Sequence, residues 1–76
     1  MGTNELCSDY GLIQVCYPDE CRDQAAKFCG VEDYPFDIIR KPNVPSGCHV
    51  FGKELFHNTL LHGGDRHPNA APICWA

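Results

Sequence analysis

Pro18-Asp19-Glu20-Cys21-Arg22-Asp23-Gln24-Ala25-Ala26-Lys27-Phe28-Cys29-Gly30 is the stretch that sets the fold. Proline and acids open it, Lys27 stands near its end and Gly30 closes it, the start and stop signals of a short helix over about residues 19–29. Cys21, Ala25, Phe28 and Cys29 fall at i, i+4, i+7 and i+8, which is one apolar face. The helix is predicted to turn two sulfurs and a phenyl ring towards a core.

On the N-terminal side, Tyr10-Gly11-Leu12-Ile13-Gln14-Val15 is rich in strand formers and reads as a short strand leading into the helix. On the C-terminal side, Val31 to Pro45 carries three prolines and several acids, the composition of an ordered loop or irregular edge segment. Pro45-Ser46-Gly47 is a turn signal. His49-Val50-Phe51 and Glu54-Leu55-Phe56-His57 flank Gly52-Lys53 and predict a hairpin with a tight connection. Residues 63–69 have the composition of an exposed loop, and Ala71-Pro72-Ile73-Cys74-Trp75 that of a final extended piece pinned by its cysteine. The expected fold is a small disulfide-rich α+β domain, a single unit over residues 1–76, with one short helix packed on a small antiparallel sheet or hairpin.

Such a small chain buries too little apolar surface to offset its conformational entropy unaided. Six of its 76 residues are cysteine, namely Cys7, Cys16, Cys21, Cys29, Cys48 and Cys74, and all six are expected in disulfides. Fifteen pairings are open. A helix of about 15 Å would separate Cys16 from Cys29, and bridged Cα atoms lie within about 7 Å, so that pair is disfavoured. An antiparallel strand beside the helix would carry Cys7 towards Cys29, Cys21 would meet Cys48 on the hairpin, and Cys16 would be left for Cys74.

Disulfides persist in oxidising compartments, so a secreted or extracellular location is expected. Met1-Gly2-Thr3-Asn4-Glu5 is not a secretion signal, and we expect a mature module. Leu12-Ile13 and Leu60-Leu61 are too short to span a bilayer, so no membrane insertion is expected. The formal net charge of −4 argues against nucleic acid as partner. Residues 1–37 carry eight acids against Arg22 and Lys27, giving −6, and residues 38–76 carry Glu54 and Asp65 against four bases, giving +2. The contrast reads first as ordinary surface variation and, more sharply, as a polarity suited to head-to-tail packing of like modules.

Competing chemistries are weaker. Structural zinc sites favour ligands two to four residues apart, and no CxxC occurs. His57, His62 and His67 recur every fifth residue, with His49 and Asp65 nearby, but that spacing fits no common face of a helix or strand. No metal, no cofactor and no catalytic residue is expected, and the chain is not read as an enzyme. Asn4, Asn43, Asn58 and Asn69 each lack the hydroxyl residue of a glycosylation sequon. Tyr10, Tyr17, Tyr34 and Trp75 could stack on sugars or partners, or pack half-buried against the core.

Cys7 with Tyr10-Gly11 and Ile13, Glu20-Cys21 with Ala25-Ala26 and Gly30, Pro45-Ser46-Gly47-Cys48, Leu55-Phe56-His57-Asn58 and Pro72-Ile73-Cys74, taken in order, resemble a cysteine-rich extracellular domain of secreted and surface proteins of algae and other protists. In that pattern a helix carries Cys-x-x-x-Ala-Ala, a Pro-x-Gly-Cys turn opens a hairpin, an asparagine ends it and Ile-Cys closes the domain. The resemblance covers nearly the whole chain, from which Cys16 and Cys29 depart as an extra pair. It implies that these two bond to each other, against the helix geometry, and it implies no catalytic residues. It further implies an extracellular building block of surface proteins or matrices.

The function expected is a secreted or surface structural and adhesive module that binds protein neighbours, its own copies or glycans in a matrix, filament or surface assembly. The alternative is a secreted effector, a toxin-like peptide or protease inhibitor presenting residues 59–69. An accessory subunit of a lumenal complex is a third.

Overall fold

A hairpin organises the molecule: β3 (Gly47–Phe51) and β4 (Glu54–Asn58) pair antiparallel around Gly52, whose φ of +63° is the left-handed turn that glycine adopts without strain. The computed structural model describes residues 3–75, and of Gln24, Ala25 and Phe28 the backbone alone. Before the hairpin come a 3₁₀ turn (Cys7–Tyr10), β1 (Ile13–Gln14), the helical stretch and β2 (Phe36–Ile39); after it come β5 (Ala70–Pro72) and β6 (Cys74–Trp75). The main sheet has the order β2-β4-β3-β5, and β1 with β6 forms a separate two-stranded ribbon.

The sheet is mixed. β2 runs parallel to β4, from Phe36 beside Leu55 to Ile39 beside Asn58, whereas β5 joins β3 antiparallel. The segment expected as a loop or irregular edge thus contributes a regular edge strand between its prolines. The expected strand over residues 10–15 shrinks to two residues, because Tyr10 closes the 3₁₀ turn and Gly11, at φ +67°, reverses the chain.

The helix is one continuous stretch in three parts: α1 (Pro18–Glu20), a π-helical segment (Cys21–Ala25) and α2 (Ala26–Phe28). Pro18 occupies the first turn, where its missing N–H costs nothing. The wider π turn redistributes the faces. Cys21 and Ala26 are fully buried, whereas Cys29, just past the last turn, is exposed and lies off the expected core face. The side chains of Ala25 and Phe28 lie outside the described residues.

Side-chain alternation gives the sheet two faces. On the helix side, Leu55 and Cys48 join Val15, Cys21, Ala26 and Ile73 in the core, with Val31, Tyr34, Phe36, Val50 and Trp75 packed around them. Complete burial of a side chain such as Leu55 contributes about 1.5–3 kcal/mol. The opposite face carries His49, Phe51, Phe56 and Asn58 and is covered by loops. Tyr34 and Trp75 are half-buried, while Tyr10 and Tyr17 are 54% and 66% exposed.

Two disulfides clamp this frame. Cys21–Cys48 ties the helix to β3, as the helix geometry predicts, with both residues fully buried. The other bridge is Cys7–Cys74, which brings residues 67 apart in sequence to a Cα separation of 5.6 Å. The expected Cys7–Cys29 and Cys16–Cys74 bridges do not form, because the ribbon pairs Gln14 with Cys74 and holds Cys74 next to the 3₁₀ turn that begins at Cys7. Cys16 and Cys29, both expected in bridges, are unbridged and exposed.

Loop 40–46 completes the architecture. β2 ends at Ile39 on one side of Asn58, and β3 begins at Gly47 on its other side. The loop is therefore a strap crossing over the end of β4. Gly47 sits at φ +76°, and a Cβ there would lie 2.6 Å from the Val15 carbonyl oxygen, so the strap meets the ribbon where only glycine fits.

Candidate functional site

A cleft of about 290 Å³ opens on the loop-covered face of the sheet. β3 and β4 supply its floor, His49 and Phe56 side by side with ring centroids 5.7 Å apart. The strap supplies Lys41, Asn43 and Val44, and the loop before β5 supplies His67, whose ring sits 4.8 Å from Phe51. Glu54 closes the rim. Val44 and His49 are buried, and Lys41, Asn43 and Glu54 are exposed. The cleft thus has a floor of two rings, one of them polar, and a polar rim.

Its two histidines differ. His49 has no exposed surface; its Nδ1 faces the Gly47 carbonyl at 3.4 Å, and its Nε2 has no hydrogen-bond partner among the described residues. Burial pushes its pKa below the usual histidine value, the Gly47 carbonyl opposes that, and the nearness of His57 and His67 adds to the lowering. His67 is half-buried and accepts the Asn69 N–H at its Nδ1 at 3.1 Å. On the helix side of the sheet, His57 is also buried, and neither of its ring nitrogens makes a well-formed hydrogen bond among the described residues. Burial lowers its pKa too, the nearby backbone of Val15 and Cys16 opposing the shift.

Asn58 holds the strap over this cleft. Its Oδ1 accepts the N–H groups of Lys41 and Leu60 at 3.1 and 3.2 Å, and its Nδ2 donates to the carbonyls of Lys41, Pro45 and Val44 at 2.7, 3.2 and 3.4 Å. The strap crosses the sheet without pairing in it, so its polar backbone groups need these partners. Loop 59–69 is fastened as well. Asp65 N–H donates to the Val44 carbonyl, Gly64 N–H to Ser46 Oγ, and Arg66 pairs with Asp9, whose carboxyl is held below its usual pKa by the Leu6 N–H and then by Arg66.

The second notable place is the pair of thiols outside the disulfide frame. Cys16 precedes the helix and Cys29 follows it, so roughly 15 Å of helix lies between them. A bond between them within one molecule would require Cα atoms within about 7 Å. Tyr17, next to Cys16 in the chain, is 66% exposed, and Ile13, three residues before it, is 61% exposed.

The histidine series, whose spacing fits no common face, is dispersed: His57 is buried in β4, His62 is exposed, and His67 lies over Phe51. Among the described residues no three His, Cys, Asp or Glu side chains come together as metal ligands would. His49 and Asn58 carry more of the architecture than composition suggested. The signal was in the alternation of His49-Val50-Phe51 and Leu55-Phe56-His57, which puts His49 and His57 on opposite faces.

The chain matches no family model, no curated protein and no solved structure with which it was compared. Its fold and bridges define a class, the small disulfide-rich α+β domain. Two disulfides are compatible with an oxidising compartment, and no helix among the described residues is long and apolar enough to cross a membrane.

Proposed function

We propose that this chain is a secreted structural and adhesive module, joined covalently to protein neighbours, its own copies first among them, in a matrix, filament or surface assembly. The observation that carries this reading is the pair of exposed thiols, Cys16 and Cys29, at the two ends of one helix in a chain whose other four cysteines are bridged. Unpaired cysteines in a disulfide-bonded protein point to intermolecular pairing. Two such groups per copy give every module a functionality of two, so copies concatenate linearly. Exposed Ile13 and Tyr17, within three residues of Cys16 in the chain, offer apolar surface to bury at the joint, and the contrast of −6 and +2 between the two parts of the chain favours a head-to-tail approach. The resemblance to surface domains of algae and protists points the same way.

The link forms by thiol–disulfide exchange with a low-molecular-weight disulfide such as oxidised glutathione. The Cys29 thiolate attacks the donor and releases one thiol, and the Cys16 thiolate of the next copy attacks the mixed disulfide and releases the second. Two protein thiols are oxidised and one donor disulfide is reduced. The test is electrophoresis without reductant, with bridge mapping by mass spectrometry, after incubation in a glutathione redox buffer. A ladder that stops at the dimer or below in Cys16→Ser and in Cys29→Ser, and vanishes in the double variant, is expected. An intramolecular Cys16–Cys29 bond, or two thiols that stay free, would overturn the proposal.

A second reading, a protease inhibitor or similar effector presenting residues 59–69, is favoured by the fastening of that exposed loop at Gly64, Asp65 and Arg66. Incubation with a panel of serine and cysteine proteases tests it: nanomolar inhibition of one supports it, and rapid cleavage within the loop removes it.

A further inference from the structure

We infer that the cleft between the strap and β3–β4 binds one neutral, polyhydroxylated ring, a single sugar unit, with His49 Nε2 as its buried acceptor. Carbonyls only accept, so the proton of the neutral His49 ring belongs on Nδ1, facing the Gly47 oxygen, and Nε2 keeps its lone pair. That lone pair has no partner among the described residues. A buried acceptor left unmade costs about 1–3 kcal/mol, which a donor entering the cleft would recover. His67 is the complement. Its Nδ1 accepts the Asn69 N–H, so the neutral ring carries its proton on Nε2 and is a donor.

One buried acceptor and one donor, with the Lys41 ammonium, the Asn43 amide and the Glu54 carboxylate at the rim, suit hydroxyl groups, which both donate and accept. Lys41 and Glu54 cancel in charge, so the cleft favours a neutral ligand over an anion or a cation. Phe56 on the floor offers an aromatic surface for the apolar C–H side of a ring. At about 290 Å³ the space is at the lower limit of ligand pockets, room for one small ring. His49 has no exposed surface, so entry requires side chains of the cleft to change rotamer, a common adjustment at binding sites.

The test uses the Cys16→Ser/Cys29→Ser variant, in which the thiols proposed to join copies are gone, so its outcome is independent of assembly. Backbone and imidazole-nitrogen NMR spectra are followed while the methyl glycosides of glucose, galactose, mannose and N-acetylglucosamine are added separately. One of them is expected to produce saturable shifts at Lys41, His49, Glu54 and His67, with the His49 Nε2 resonance moving as its lone pair accepts a proton donor. Glu54→Gln and Lys41→Met at the exposed rim should weaken that binding about tenfold and leave the melting temperature unchanged. The inference is overturned by any of three results: no saturable shift at these residues at sugar concentrations on the order of 100 mM, shifts confined to Tyr10, Tyr17 or Trp75, or a His49 Nε2 held by one slowly exchanging water that no sugar displaces.

Discussion

Asn58 pairs with the backbone of Lys41 in both directions, donating from Nδ2 to its carbonyl at 2.7 Å and accepting its N–H at Oδ1 at 3.1 Å. A side chain thus adds a rung to the sheet where the strap leaves it. Asn58→Ala strands the N–H groups of Lys41 and Leu60 and the carbonyls of Lys41 and Pro45, that of Val44 keeping the Asp65 N–H, and a loss of about 3 kcal/mol is expected from their desolvation. Asn58→Asp should lose more, since a carboxylate oxygen would then face the carbonyls that Nδ2 now serves. Urea unfolding of the three proteins checks both; a loss below about 1 kcal/mol for alanine would mean that water replaces the amide.

Acid should weaken the fold through His49 and His57. Burial holds both below the ordinary value of 6.5, so beneath that pH the unfolded chain binds protons that the native chain refuses. Their contribution is complete above about 6.5 and is lost as pH falls towards the depressed native values, by at most about 1.4 kcal/mol per histidine per pH unit. Lys41, Glu54 and His67 line the cleft with His49. Urea unfolding at pH 7, 6 and 5 should show the decline, and His49→Phe should flatten it. An equal slope in that variant would remove His49 as a cause.

Removal of Cys21–Cys48 should cost more than removal of Cys7–Cys74, although its loop is the shorter. With sequence separations of 27 and 67, loop entropy alone gives about 3.6 and about 4.4 kcal/mol. Cys21 and Cys48 are both 0% exposed, and replacing them with alanine also opens a cavity in the core, worth more than the difference of about 0.8 kcal/mol. Thermal unfolding of the two double-alanine variants gives the order. The reverse order would show that the core closes over the missing sulfurs.

Gly47→Ala should destabilise by at least about 2 kcal/mol, since the added Cβ combines a left-handed φ with an approach of 2.6 Å to the Val15 oxygen. Gly52→Ala meets no atom within 4 Å and should cost only the backbone term, about 1 kcal/mol. Equal losses for the two would mean that the ribbon moves away from the strap.

The hairpin was legible because Gly52-Lys53 separates two runs of period two, and the helix because Pro18 and Gly30 mark its ends. Cys21–Cys48 followed from that helix, since a core-facing sulfur on its first turns meets the adjacent strand. The π segment was not legible: it changes the period within five residues and takes Cys29 off the core face. β2 was masked by the prolines around it, and its parallel pairing depends on a strap whose partner, Asn58, is distant in sequence. The cleft requires that strap, so of the site only the facing of His49 and Phe51 could be read from the chain.

The strap also imposes an order of events. β3 and β4 are neighbours in sequence and can pair early, whereas β2 has nothing to lie against until β4 is in place, and its connection has nothing to hold until Asn58 stands at the end of that strand. We therefore expect the hairpin to form first and β2 to dock last. In stopped-flow kinetics Asn58→Ala would then mainly accelerate unfolding and leave the folding rate nearly unchanged. β2, at one edge of the sheet, would be the first strand to leave it, and the cleft would open with it.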